Sequence, residues 1–361
     1  MKVTPLNSVH RRLGARMVDF GGWDMPVQYS GILDEHHAVR RNVGVFDVSH
    51  MGEIEILGPE ALELVQFVST NSAARLKPGQ IQYSGLLYSN GGFVDDILVH
   101  HVGPNNFFLC VNASNQEKDF EHIRDVNRWN ATVELASPRY AQIAVQGPQA
   151  IATLQPLCSV DLPAIRYYNF IDGEVCGHPA RIARTGYTGE DGFEVYIAPE
   201  AAEGLWDRIL DAGQPLGIKP CGLGARNTLR LEAGMALYGH EIDASTTPFE
   251  ARLDWIVKME KGDFLGRDAL LRQAAEGVPR KLTAFEMRGR GIARDGYEVQ
   301  VEGKPAGRVT SGGPSPTLNK NIGLCYLPVE VAAAGRRIEV LIRGEAVEAV
   351  TIESPFYKRA K

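Results

Sequence analysis

Twice in this chain, 89 residues apart, an alternating segment runs into a Gly-Pro pair and then into an amphipathic stretch. The first copy is Met51-Gly52-Glu53-Ile54-Glu55-Ile56-Leu57, followed by Gly58-Pro59-Glu60-Ala61 and an apolar face of Leu62, Val65 and Val68. The second is Tyr140-Ala141-Gln142-Ile143-Ala144-Val145-Gln146, followed by Gly147-Pro148-Gln149-Ala150, Ile151 and Leu154. Period-two alternation marks a half-buried strand, and Pro in a first helical turn forfeits no hydrogen bond. Two such units predict two similar α+β layers packed together, and they are too few for a solenoid. The 361 residues, at about 150 per domain, leave room for two or three domains.

The rest of the chain extends this α+β reading. Further helices are expected over residues 30–42, opened by a Ser30 cap, and over 115–129 and 200–212. Residues 81–88 and 93–100 flank Ser89-Asn90-Gly91-Gly92, and Asn-Gly between alternating segments is a strong hairpin signal. A second hairpin joins 181–185 to 193–197 across Gly186-Tyr187-Thr188-Gly189-Glu190-Asp191-Gly192. After about residue 280 helical patterns vanish and short strands with Gly/Pro turns dominate, as in a small all-β barrel or jelly roll. The division expected is therefore an α+β region over 1–272, a linker at 273–279 and a β domain over 280–361.

Composition removes several function classes. The chain is 44% hydrophobic and 23% charged, which excludes disordered and fibrous proteins. No apolar run approaches the ~18–20 residues that span a bilayer. Met1-Lys2-Val3-Thr4-Pro5-Leu6-Asn7 has neither the apolar core of a signal peptide nor an Arg/Ser-rich transit pattern. The five scattered cysteines form no CxxC or Cys/His cluster, which suits buried thiols in a reducing, cytoplasmic setting. A net charge of -6 argues against nucleic-acid binding. That charge is uneven: residues 280–361 carry a net of +5 and the remainder -11, a split that suits an acidic partner for the basic region.

The common cofactor signatures fail. There is no phosphate-binding Walker sequence, and Gly222-Leu223-Gly224-Ala225-Arg226-Asn227 lacks the third glycine of a dinucleotide fingerprint. No G-x-S-x-G elbow is present. His36-His37 and His100-His101 are adjacent pairs whose side chains diverge, which is poor metal geometry. Asp95 and Asp96 point to opposite faces of a strand, so one carboxylate faces inward, and an inward Asp needs a partner. Asp95 falls on the face of Phe93, Ile97 and Val99, and Asp96 on that of Val94 and Leu98; periodicity does not choose between them. The loop 186–192 holds three glycines, which serve either a close ligand approach or simply a long hairpin turn. Arg226 and Arg230 share a helix face, placed either for a carboxylate ligand or for pairing with acids such as Glu232.

Several of these segments, taken in order, resemble the T-protein (aminomethyltransferase) family of the glycine cleavage system. They are Val18-Asp19-Phe20-Gly21-Gly22-Trp23, Phe46-Asp47-Val48-Ser49-His50-Met51-Gly52-Glu53 and Gly91-Gly92-Phe93-Val94-Asp95-Asp96. Arg184-Thr185-Gly186-Tyr187-Thr188-Gly189-Glu190-Asp191-Gly192-Phe193-Glu194, Gly224-Ala225-Arg226 and Leu229-Arg230-Leu231-Glu232-Ala233-Gly234 follow, then Thr310-Ser311-Gly312-Gly313-Pro314-Ser315-Pro316-Thr317. The resemblance implies three domains in a cloverleaf around a central tetrahydrofolate cavity, two of them mixed and interleaved in sequence, the third the C-terminal barrel. It implies transfer of a one-carbon unit from the aminomethylated lipoyl arm of a carrier, the H protein, to tetrahydrofolate, in association with the other glycine cleavage components. Tetrahydrofolate enters as co-substrate, and neither a metal nor a protein nucleophile is required; membrane and nucleic acid are not expected partners. By position, Asp96 matches the family's essential acid, and Glu194 and Arg226 match residues holding the pterin and benzoylglutamate parts. Tyr83, Asn112, Tyr168 and Tyr187 fall at pocket-lining positions, and Tyr357 at one that closes the cavity.

Three relatives compete. A folate-binding iron–sulfur assembly factor resembles Lys-Gly-Cys-Tyr-x-Gly-Gln, where this chain has Arg184-Thr185-Gly186-Tyr187-Thr188-Gly189-Glu190 and no Cys. Flavin-linked sarcosine or dimethylglycine dehydrogenases carry a long dinucleotide-binding half that is absent here. A demethylase of sulfonium substrates is the third.

Overall fold

The structure, a computed structural model, describes residues 1–359. The chain forms two compact units. The first comprises Met1–Val68, Ser72–Ser84 and Ile97–Asn227; the second comprises Ser69–Asn71, Gly85–Asp96 and the chain from Thr228 onward.

The first unit is built on two larger sheets. In one, the strands Phe170–Val175, His178–Ala183, Gly192–Ile197, Ala141–Gln146, Val43–Asp47 and Ile218–Pro220 lie in that order. All neighbours are antiparallel except the last pair. Alternation divides these residues between two faces. Val43, Val45, Ile143, Val145, Phe193, Val195 and Ile197 join a core with Leu154, Leu205, Trp206 and Ile209 of the helices Ala150–Leu154 and Ala202–Gly213. Each such side chain, fully buried, contributes about 1.5–3 kcal/mol. Phe46, Gln142, Ala144, Gln146, Glu194 and Tyr196 lie on the other face. Every residue of Ala141–Gln146 and Gly192–Ile197 is buried, as in a sheet covered on both sides.

The cover of that second face comes from the sheet Gln80–Leu87, Phe93–Gly103, Asn106–Val111, Gly52–Leu57, Thr132–Leu135. Its Ile81, Phe108 and Cys110 pack with Phe170, Ala183 and Tyr196 of the first sheet. The two strand–Gly-Pro–helix units thus fall in different sheets, Gly52–Leu57 in one and Ala141–Gln146 in the other.

Local expectations were corrected in three places. The helix after Gly58-Pro59 is Ala61–Val68, with Ala61, Leu64, Val65 and Val68 buried. Leu62 is 36% exposed, because it lies one helical step off that i, i+3, i+4, i+7 stripe. The helix expected from Ser30 is Ile32–Arg41, and Ser30 Oγ donates to Asp34 Oδ2 (2.6 Å) instead of capping it. The amides of Tyr29, just ahead of the helix, and of Gly31, at its N-cap, instead donate to Oε1 of buried Glu35 at 2.5 and 3.1 Å. Residues 273–276, expected in a linker, are the last turn of the helix Arg267–Glu276, which stops at Gly277 with φ 87°.

The second unit carries a closed antiparallel barrel in the order Arg280–Met287, Lys320–Pro328, Lys304–Ser315, Glu298–Val301, Arg337–Ile342, Glu345–Ile352. It is a barrel and not a jelly roll, since the first and last strands pair through Ala284–Ile352 and Met287–Ala349. Phe285, Met287, Val299, Val309, Cys325, Leu327, Ile338 and Val340 fill the interior. The alternate residues Leu282, Ala284, Leu324 and Tyr326 pack outward against Leu231. The five cysteines are free thiols, with Cys110, Cys221 and Cys325 buried. Among the described residues no helix is long and apolar enough to cross a membrane.

Candidate active site

A cleft in the first unit is lined by Phe46, Ala144, Gln146, Tyr187, Thr188, Glu194 and Arg226. Strand register assembles it: Ala144 sits opposite both Phe46 and Glu194, and Gly192 sits opposite Gln146. Glu194 is 7% exposed and accepts one hydrogen bond on each oxygen. Thr185 Oγ1 donates to its Oε2 at 2.6 Å, and Gln142 Nε2 donates to its Oε1 at 3.0 Å. Burial pushes the Glu194 carboxyl above the ordinary range, and Thr185, the Arg226 guanidinium and Gln142 pull it back down.

The glycine-rich loop is held by its own ion pairs. Arg184 grips Asp191 through two hydrogen bonds, 3.0 Å from Nε and 2.5 Å from Nη2. Buried Arg40 donates to Glu190 Oε1 at 2.9 Å and to the Thr188 carbonyl at 2.7 Å. Gln146 knits the loop from beneath, donating to the Thr185 carbonyl (3.0 Å) and accepting from Thr188 Oγ1 (2.9 Å). A Cβ on Gly186 would lie 2.0 Å from Gln146 Oε1, so this glycine makes room for the chain's own amide.

Arg226 stands on the helix Leu223–Glu232, with its guanidinium carbon 4.7 Å from the centre of the Tyr187 ring. That helix is set by Glu35, whose Oε2 accepts from the Gly222 amide at 2.8 Å. The approach needs glycine at 222, where a Cβ would fall 2.4 Å from the Val27 carbonyl carbon. His50, 1% exposed, is held neutral: burial, and then the Arg226 charge, lower it to about 3 against the opposing pull of Asp47. Its Nδ1 has no hydrogen-bond partner. Asp47 itself accepts from His10 Nε2 (2.8 Å), Thr4 Oγ1 (2.6 Å) and the Ser49 amide (2.9 Å), which anchors the end of the strand that carries Phe46.

Behind Glu194 lies a second buried carboxyl. Glu53 is 1% exposed and pairs in register with Cys110; burial drives it well above the ordinary carboxylate range, and its Oε1 has no hydrogen-bond partner. A carboxyl raised in the folded state keeps a proton that the unfolded chain releases, so its contribution to stability falls as pH rises. Glu53→Gln mimics the protonated form and is expected to raise the melting temperature, with a gain that grows between pH 5 and pH 8. Thermal scans across that range check this; destabilisation at pH 8 contradicts it.

Tyr187, Glu194 and Arg226 line this one cleft in the first unit, where Tyr83, Asn112 and Tyr168 also lie. Tyr83 is half-buried on Gln80–Leu87, and Asn112 is half-buried just after Asn106–Val111. Tyr168, at φ 60°, packs onto the cluster of Phe108 and Tyr196. Asp96 and Tyr357 belong to the second unit. There Asp95 is fully buried and Asp96 half-buried, on a strand whose first amide, that of Phe93, donates to the Asp243 and Thr246 carbonyls. The Tyr357 amide donates to the Glu232 carbonyl at 2.8 Å. Arg230 shares no ligand face with Arg226: it is 2% exposed and paired with Glu241 at 2.8 Å, while Glu232 accepts from Ser315 and Thr317. Gln142, Gln146, Thr185 and Glu53 were not singled out from sequence. Glutamines at 142 and 146, two strand steps from Ala144 on either side and opposite Ile143 and Val145, were the available signal. Among the described residues no group of His, Cys, Asp and Glu is placed to hold a metal ion.

Comparison with known proteins agrees along the whole chain. Residues 6–261 match the family model described as the GCVT N-terminal domain, and residues 280–358 match the glycine cleavage T-protein C-terminal barrel domain. The chain is 53% identical over 367 residues to an aminomethyltransferase of Acidobacterium capsulatum, covering 100% of this chain and 97% of the relative. It is 52% identical to that of Desulfitobacterium hafniense, covering 99% of each. The crystal structure of glycine cleavage system aminomethyltransferase T from Bartonella henselae matches with a TM-score of 0.93 at 33% identity, over 99% of this chain and 98% of that one. With both family models matched and the fold shared from end to end, the chain belongs to the aminomethyltransferase family of the glycine cleavage system, the T-proteins.

Proposed function

We propose that this protein takes the aminomethyl group held on the lipoyl arm of the glycine cleavage H protein and delivers its carbon to tetrahydrofolate. The products are ammonia, 5,10-methylenetetrahydrofolate and the dihydrolipoyl carrier. The observation that carries this reading is the cleft itself: a buried acceptor, Glu194, and a cation stacked on an aromatic ring, Arg226 on Tyr187. Such a pair suits a flat heterocycle with N–H donors and an anionic tail. Tetrahydrofolate supplies the nucleophilic nitrogen that receives the carbon.

The chain's own groups bind and orient. Glu194 accepts from the pterin ring, Arg226 faces the benzoylglutamate part, and Tyr83, Asn112, Tyr168, Tyr187 and Tyr357 serve as further binding residues. Asp96 orients the reacting nitrogens and offsets the positive charge that develops at carbon as ammonia leaves. The net positive charge after residue 280 suits an acidic carrier. The setting is cytoplasmic, alongside the other glycine cleavage components.

Arg226 gives the test of the folate reading. Arg226→Ala removes a charge-assisted contact and is expected to weaken tetrahydrofolate binding roughly ten- to hundredfold. Arg226→Lys keeps the charge but loses the planar fork, so a smaller loss is expected. Calorimetry with tetrahydrofolate under anaerobic conditions reads both, and unchanged affinity in Arg226→Ala shows the residue to be structural.

A further inference from the structure

Beneath the cleft, Gln142 sits on Ala141–Gln146, 1% exposed and directly opposite Tyr196. Its Nε2 donates to Glu194 Oε1 (3.0 Å) and to Tyr196 Oη (3.2 Å), and its Oε1 accepts from Cys110 Sγ (3.8 Å). Tyr196 and Cys110 therefore hold the two ends of the Gln142 amide, one at its nitrogen and one at its oxygen. Reversing the amide loses the bond to Glu194 and sets the amide oxygen against that carboxyl. The two amide hydrogens thus have two destinations, Tyr196 Oη and Glu194 Oε1. The main chain is pinned as well: the Gln142 amide donates to Ser49 Oγ (3.0 Å), and Ser49 Oγ donates to the Gln142 carbonyl (3.2 Å).

The geometry points to Gln142 as a positioning residue of the aminomethyltransferase site, one that fixes the orientation of Glu194 while Tyr196 and Cys110 hold its own amide in place. This rests on the reading of Glu194 as a folate acceptor. Glu194 is faced by Arg226 from its helix, by Thr185 at the end of the neighbouring strand and by Tyr196 from its own strand. Cys110 and Glu53 face it from the second sheet, with neutral His50 beside Arg226. Of these, Thr185, Arg226 and Gln142 favour the charged form, and burial opposes it. Removing the Gln142 donor therefore lets burial win at a higher pH.

The experiment is tetrahydrofolate affinity against pH for the parent, Gln142→Met and Glu194→Gln, with thermal unfolding as the fold control. Ionisation of the ligand is common to all three and cancels. In the parent, affinity falls as pH drops through the Glu194 transition. Gln142→Met is expected to move that midpoint upward by about one pH unit, and Glu194→Gln to abolish it. Should Gln142→Met fail to fold, Gln142→Asn, too short to reach Glu194, is expected to give the same upward shift. If Glu194→Gln removes the transition and the Gln142 variants lower affinity equally at every pH, Gln142 is structural and the inference is overturned. If Glu194→Gln itself leaves the profile unchanged, the reading of Glu194 fails, and this inference with it.

Discussion

Asp96→Asn is expected to lower turnover roughly a hundred- to thousandfold while leaving the protein folded. Loss of a preorganised charged contact at a reacting centre typically costs about 3–4 kcal/mol. The substitution keeps size and hydrogen-bonding atoms, and Asp96 is only half-buried, so little packing changes. Asp95→Asn is the control. Asp95 is fully buried on the opposite face of the same strand, and its loss is expected to lower stability more than turnover. Turnover measured with carrier and tetrahydrofolate both saturating, together with melting temperatures, separates the two. Near-parental turnover in Asp96→Asn assigns the catalytic role to another group.

Arg230→Met is expected to destabilise the protein by about 3–5 kcal/mol, because it strands a buried carboxylate. Glu241 is fully buried and takes its charge compensation from Arg230 Nη1 at 2.8 Å; it also accepts from Thr310 Oγ1 (2.7 Å) and the Leu237 amide (3.0 Å). Arg230 Nη2 continues to Ser311 Oγ at 2.8 Å, tying the helix Leu223–Glu232 to the barrel strand Lys304–Ser315. Replacing both partners removes the stranded charge, so Arg230→Met/Glu241→Met is expected to recover part of the loss. Denaturant unfolding of the single and double variants checks this. A single variant within 1 kcal/mol of the parent shows that the pair contributes little.

How much of this was legible in sequence depended on the range of the interaction. Gly52–Leu57, Ala141–Gln146 and the hairpin around Asn90-Gly91 followed from alternation and turn chemistry, which act between near neighbours. The barrel followed from Gly/Pro spacing in the same way. The helix start at Ser30 did not, because Glu35 reaches back and takes the role of the cap, joining it to Gly222 far along the chain. Arg226 and Arg230 looked equivalent on one helix face, yet one stacks on Tyr187 and the other pairs with Glu241; only the fold brings those partners near. The bonds of Gln142 to Tyr196 and Cys110 join three strands from two sheets, and nothing local to any of the three announces them. The choice between Asp95 and Asp96 likewise came from the family resemblance. Alternation supplied only that the two face opposite ways.

The central claim is that carbon from an aminomethylated lipoyl carrier reaches tetrahydrofolate on this protein. The direct measurement is ammonia and methylenetetrahydrofolate formed from such a carrier, with and without tetrahydrofolate. The account predicts both products in equal amounts when tetrahydrofolate is present, and no methylenetetrahydrofolate without it. Failure to form methylenetetrahydrofolate with both substrates saturating contradicts the account, as does a methyl group arriving on the folate from a sulfonium donor in its place.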